Sequence, residues 1–335
     1  MRTASPAPST AAPPAAGAIR RATRILLLIQ AGAGIAIYAA IIHFLQLKSG
    51  LAAALLGLAC VLLVRMGIIA NNFAIAWWYR SPTPPEHRLR WGGLLRLFLV
   101  EYWASMASSS WTMAFRHVRE HIFDDSQALP VLLVHGYGCN SGYWHAMSQA
   151  LTRERISHFG VDLEPVFGSI DDFVSLLDAA VAHVLERSGQ TQLVIVAHSM
   201  GGLVARAWLQ RHGPAGIARI ITLGTPHGGT GLANFGWGPN SRQMRYRGRG
   251  IQGQPSAWLQ QLAAGEDVGL RRLITSIWSH HDNIVSPQAS SRLEHARNIE
   301  VAGIGHVSLA FAPQVQQLVV EEIRRASLPS PARPH

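Results

Sequence analysis

Ser199, Asp282 and His306 have the residue types, and the order along the chain, for nucleophilic catalysis if folding brings them together. Ser199 lies in Ala197-His198-Ser199-Met200-Gly201-Gly202, after the apolar run 192–196 and before the helix-like run 203–209. A short buried strand, a sharp turn and a helix make a nucleophile elbow. The serine backbone there is strained, so the positions two before and two after it must be small, and they are Ala197 and Gly201. The turn lifts the hydroxyl above the sheet edge and aims the first amides of the next helix at the same point. A serine hydroxyl is a weak nucleophile alone, so it needs a base, and the base needs a carboxylate to fix its tautomer. Asp282 follows the strand-like run ending Ser276-Ile277-Trp278, and His306 follows the next one, in Gly303-Ile304-Gly305-His306-Val307-Ser308. His280 and His281 precede the acid, which is the wrong order for the base.

A tetrahedral intermediate also needs two preorganised N–H donors. The amide of Met200 supplies one. The amide of Tyr137 is the candidate for the other, because His135-Gly136-Tyr137-Gly138 leaves the apolar run 131–134 and Gly136 permits the tight turn. His198 and Gly202 complete the elbow's support. The elements that must position these groups alternate. Strand-like runs at 131–134, about 161–166, 192–196, 219–223, 273–278 and 298–302 are interleaved with helical patterns at 143–153, 171–187, 203–209 and 314–325. Such alternation predicts an α/β fold, a mostly parallel sheet with helices on both faces, with reactive residues at the carboxyl ends of strands.

Residues from about 129 to 325 resemble the α/β-hydrolase superfamily, and the motifs are similar to those of bacterial lipases and esterases. The strings that carry the resemblance are His135-Gly136-Tyr137-Gly138, the Ala-His-Ser-Met-Gly elbow at 197–201, and Leu223-Gly224-Thr225-Pro226-His227-Gly228-Gly229-Thr230. Alanine at 197 replaces the glycine of many members, as in one subgroup of lipases. The resemblance implies hydrolysis of carboxylic esters through an acyl-enzyme on Ser199, with no cofactor and no metal. It also implies that the 223–230 stretch borders the acyl pocket, which makes His135, Gly136, Thr225, Pro226 and His227 pocket candidates. A thioesterase or acyltransferase would use the same triad, and an inactive membrane scaffold would keep only the fold.

The rest of the chain concerns the membrane. Hydrophobic residues make up 48% of the 335 and charged ones only 14%, with the apolar excess at the N-terminal end. The net charge of +10 comes from dispersed arginines or arginines flanking apolar runs, without a nucleic-acid-binding motif, so anionic lipid headgroups are the expected partner and nucleic acid is not. No protein partner is legible. Cys60 and Cys139 imply no disulfide framework, and no zinc-type spacing occurs.

Residues 1–24 are expected to be a disordered Ala/Pro-rich tail, and 25–80 a transmembrane hairpin with spans at about 25–47 and 51–71. A retained hairpin is favoured over a signal peptide because a second apolar segment follows at once. Arg65 at a bilayer centre costs about 2.5–3.5 kcal/mol, so it is expected to snorkel to the headgroups, leaving Trp77, Trp78 and Tyr79 as an interfacial belt. Arginines on both outer flanks place the ends, and the catalytic domain, in the cytoplasm, at a bacterial inner membrane. Residues 81–128 read as a Pro-rich linker and an amphipathic helix over 91–120, residues 129–326 as the catalytic domain, and 327–335 as a tail. Within the domain, 228–268 is expected to form a lid or, alternatively, a mobile surface loop. Its Phe235, Trp237, Met244 and Trp258 would cover the pocket, and Arg242, Arg245, Arg247 and Arg249 would meet headgroups.

Overall fold

Every residue of β2 (Val131–Val134) and β4 (Leu193–His198) is buried, as expected for strands covered on both faces. Because side chains alternate across a strand, Leu132 and Val134 face one apolar core while Val131 and Leu133 face the other. The first core is closed by α6 (Asp172–Ser188), α7 (Met200–His212) and α9 (Ala257–Ala264), and the second by α5 (His145–Arg153) and α11 (Pro313–Ser327). The strands β1 (Glu120–His121), β3 (His158–Val161), β5 (Ile217–Leu223), β8 (Ile274–Ser279) and β9 (Arg297–Val301) complete a seven-stranded sheet. Its order is β1-β3-β2-β4-β5-β8-β9, parallel throughout except for β1. This is the α/β-hydrolase architecture, with the mostly parallel sheet and flanking helices that the alternation predicts.

The structure is a computed structural model and describes residues 17–46 and 49–328. Residues 1–16 of the tail expected at 1–24, residues 329–335 of the tail expected at 327–335, and Leu47 and Lys48 between the two expected spans lie outside the described residues. Two long helices, α1 (Ala18–Leu45) and α2 (Gly50–Tyr79), pack on one another and are long and apolar enough to cross a membrane. A third, α3 (Trp91–Ala107), lies against α2.

Several boundaries differ from expectation. Helix α1 starts at Ala18 rather than near Ile25, and includes Arg20, Arg21 and Arg24. Charges limit a membrane span but not a helix, since arginine is a good helix former. Glu164 receives the otherwise unpaired amides of Gly17 and Ile19, tying this end to the catalytic domain. Helix α2 runs on to Tyr79 rather than stopping near 71. The Pro-rich linker contains a 3-10 turn at Pro85–His87. Helix α3 ends at Ala107 and passes through a π-turn (Ser108–Thr112) into the short α4 (Met113–Phe115), so the single helix to 120 is not formed. Strand β3 occupies His158–Val161 rather than about 161–166 because Pro165 cannot donate to a ladder, and pairing shifts upstream, Val131 opposite His158.

The 228–268 segment is not a structureless lid. It forms a 3-10 turn (Gly231–Phe235), α8 (Gly238–Gln243), a two-stranded ribbon of β6 (Tyr246–Arg247) and β7 (Gln254–Pro255), α9, and the start of α10 (Val268–Arg272). Met244 is buried in the first core and Trp258 packs against that core, its Nε1 donating to Asp171 at 2.8 Å. Phe235 and Trp237 point to solvent, Trp237 80% exposed.

Candidate active site

Strand β4 ends in the elbow. Ser199 has φ 54° and ψ −126°, a positive-φ backbone that costs a non-glycine residue about 1–3 kcal/mol unless its surroundings enforce it. They do so from several sides. The Ser199 amide donates to Leu223 O at 2.9 Å, and Thr225 Oγ1 donates to Ser199 O at 2.9 Å. A Cβ on Gly201 would sit 2.5 Å from Val134 O, one on Gly202 would collide with the Thr225 side chain, and one on Gly136 would lie 2.8 Å from Ser199 Cβ. Glycine is therefore required where the elbow meets β2, the 224–225 turn and the His135-Gly136 turn.

His306 Nδ1 pairs with Asp282 Oδ2 at 2.7 Å, both groups buried. The other Asp282 oxygen accepts from the amides of Ile284 at 2.8 Å and Val285 at 2.7 Å, which fixes the carboxylate in one rotamer. The His306 amide donates to Asn283 Oδ1 at 3.0 Å, so the turn after β8 holds the loop after β9. Burial opposes protonation of His306, but the charge and hydrogen bond of Asp282, with Glu101 behind them, outweigh it and hold the imidazole above its ordinary value. His198 lies with its ring 4.5 Å from that of His306 and stacked on Tyr143 at 4.4 Å. Burial, then repulsion from His306, pushes His198 well down, so it remains neutral beside the pair.

Glu101, on α3, was not singled out from sequence. It is fully buried, and its two oxygens accept the amides of Val307 at 2.9 Å and Ser308 at 3.0 Å, the residues next after His306. A Cβ on Gly305 would lie 2.4 Å from a Glu101 oxygen, so only glycine allows this approach. Burial raises the Glu101 carboxyl above its usual range, while the two amides and His306 pull the other way. The signal was present: Glu101 is the one acidic residue in the apolar helix Trp91–Ala107.

Ser199 and His306 line a cavity of about 440 Å³ together with Gly136, Tyr137, Cys139 and His198. Its remaining wall is largely N-terminal: Leu26 and Gln30 from α1, Arg65, Ile68 and Ile69 from α2, and Tyr102, Ser105 and Met106 from α3. Desolvation pushes the Cys139 thiol up to about 12, so it stays protonated and does not compete with Ser199 as a nucleophile. A larger, more open cleft of about 1150 Å³ reaches Asp282 and His281 but not Ser199. The smaller cavity is therefore the one that Ser199 and His306 share.

The other expected site residues divide. Tyr137 lines the cavity, and its hydroxyl is bound to the backbone of Trp237, accepting at 3.3 Å and donating at 2.9 Å. Met200 is buried at the start of α7. His135, Thr225, Pro226 and His227 are buried but do not line the cavity, which corrects their assignment as pocket residues. Thr225 braces Ser199, His135 Nε2 accepts the Leu163 amide at 3.0 Å, and His227 packs on Thr222 and Arg206. The stretch is consumed in holding the elbow. Of the expected lid residues none lines the cavity, and only Leu232 of that segment does. Arg242, Arg245 and Arg247 line a separate surface cleft, and Arg249 stacks over Trp78 at 3.4 Å. Arg65 does not snorkel: its guanidinium donates to Gln30 Oε1 at 3.1 Å, to Ser110 Oγ at 2.7 Å and to Ser109 Oγ. The two serine acceptors are in place because the π-turn after α3 lies against α1 and Arg65 of α2, which no helix-period reading of 91–120 provides. Among the described residues one group of potential metal ligands gathers, His87, His280 and Glu300, as a stacked histidine pair at 4.4 Å with Glu300 on His280 at 2.8 Å.

Residues 130–247 match the family model described as the alpha/beta hydrolase fold. The chain is 32% identical over 93 residues to a pimeloyl-[acyl-carrier protein] methyl ester esterase of Yersinia enterocolitica, covering 28% of this chain and 35% of that protein. It is 31% identical over 115 residues to a triacylglycerol lipase of Pseudarthrobacter phenanthrenivorans, covering 32% and 35%. The chain thus spans about a third of the length of these curated relatives. Among solved structures, the mature lipase BlEst2 of Bacillus licheniformis superposes with a TM-score of 0.52 at 18% identity, covering 61% of this chain and 95% of that one. Lipase B of Aspergillus fumigatus superposes with a TM-score of 0.50 at 17% identity, covering 61% and 55%.

Proposed function

We propose that this chain, which has the α/β-hydrolase fold and resembles bacterial lipases and esterases, is a membrane-anchored serine hydrolase cleaving carboxylic esters of lipid type. Ser199 Oγ attacks the ester carbonyl while His306 Nε2 takes its proton, Nδ1 being occupied by Asp282. The oxyanion is received by the amides of Tyr137 and Met200. His306 then returns the proton to the departing alcohol, leaving an acyl-Ser199 ester. A water, deprotonated by His306, attacks that ester and releases the acid. The pair is poised for this cycle: the carboxylates around His306 favour the imidazolium that forms in each step.

The observation that carries the reading is the buried 2.7 Å His306–Asp282 pair, with its imidazole in the same cavity wall as a serine of positive φ. The apolar lining supports a long acyl group, and α1 and α2 support anchoring in a bilayer. Arginines at the outer ends of the hairpin favour a cytoplasmic catalytic domain. The test is a panel of esters graded in acyl length, assayed with the purified full chain in detergent beside Ser199→Ala. Turnover rising with acyl length and absent from the variant supports the proposal. Equal turnover by the variant would falsify it.

A further inference from the structure

Among the described residues, Arg65 is the one permanently charged side chain that lines the Ser199 cavity. Its three acceptors, Gln30, Ser109 and Ser110, are all neutral, and no carboxylate pairs with it among the described residues. A guanidinium has five N–H donors, and these bonds occupy only three of them. A half-buried arginine among Leu26, Ile68, Ile69 and Met106 has these hydrogen bonds but no counter-ion, so its charge is only partly compensated, a state that an anion in the cavity would relieve. The three neutral partners come from α1 and the π-turn and hold the fork in place, so it is oriented before a ligand arrives. The cavity's size suits one amphiphilic molecule, with room for a carbonyl at Ser199 and a second group at Arg65.

We propose that Arg65 is an anion-binding subsite of this cavity and that the chain selects esters that also carry a phosphate or carboxylate, that is, anionic amphiphiles. The inference rests on Ser199 as the nucleophile only for the word "ester"; the anion site itself can be read without catalysis.

The test uses the full chain in neutral detergent. Decyl phosphate, decanoate and decanol are titrated calorimetrically into Ser199→Ala, with and without a second change, Arg65→Gln. Expected is binding of one or both anions about tenfold or more tighter than decanol, as for a charge-assisted hydrogen bond, and loss of most of that preference with Arg65→Gln. Whether decyl phosphate or decanoate binds tighter identifies which oxyanion the site takes. Inorganic phosphate alone should not bind measurably; binding as tight as decyl phosphate would overturn the amphiphile class. Equal binding of all three decyl compounds by the Ser199→Ala chain would overturn the subsite even if Arg65→Gln proved unstable. In turnover, matched anionic and neutral esters give the same answer through the ratio of their kcat/KM values, which should fall about tenfold with Arg65→Gln. Anion binding without any ester turnover would refute the hydrolase reading and leave the anion subsite standing.

Discussion

The α/β part of the chain and the helical part before it contribute to one site in different ways. The α/β part supplies Ser199, Asp282 and His306, the proposed nucleophile, acid and base, from the ends of β4, β8 and β9, each fixed by hydrogen bonds or by glycines that neighbouring atoms require. The helical part supplies none of the three proposed catalytic groups, yet it builds half of the cavity wall and reaches the His306 loop through Glu101. An anchor would need only apolar length. Here α2 and α3 instead place Arg65 and Glu101 where each finds partners beside the cavity of Ser199 and His306. On the proposed reading, one region sets the chemistry and the other its selectivity.

The division can be broken by substitutions of graded size. Asp282→Asn should lower kcat by about 10³–10⁴-fold with little change in KM, because the tautomer and the charge behind His306 are both lost. An effect under tenfold would mean that another group orients the imidazole. Gly305→Ala drives a methyl against Glu101, and is expected to lower kcat by about 10–100-fold and stability by about 1–3 kcal/mol, read by turnover and thermal melting. If it is neutral, the contact between α3 and the histidine loop does not position the site. Glu101→Gln removes a negative charge that raises His306, so the imidazole pKa falls and the acid limb of the kcat/KM profile moves to lower pH, alongside a several-fold loss of activity. An activity loss with an unmoved limb would assign Glu101 a purely structural role. Trp237→Ala should be the mildest, within about twofold on soluble esters, since the ring faces solvent. A large loss would restore the lid that the fold of 228–268 argues against.

Much of the α/β part is legible because its signals are local. Strand-like runs ending in His135-Gly136, the elbow and the two loops carrying Asp282 and His306 can be placed from periodicity and order alone. The helical part is legible only as apolar length. Its contacts with the site span some 200 positions, as between Glu101 and Val307, and no periodic pattern encodes them. The 223–230 motif misled for the opposite reason: a strong local signal marked residues that brace Ser199 from behind rather than face the cavity. Polar residues within apolar helices, Gln30, Arg65 and Glu101 among them, were the readable trace of the missing half.

The most direct measurement is mass-spectrometric mapping of a fluorophosphonate adduct on the folded full chain. The account predicts one adduct, on Ser199, abolished by Ser199→Ala and slowed when a long-chain amphiphile fills the cavity. An intact, folded chain that takes no label at position 199, or takes it as readily on another residue, would contradict it.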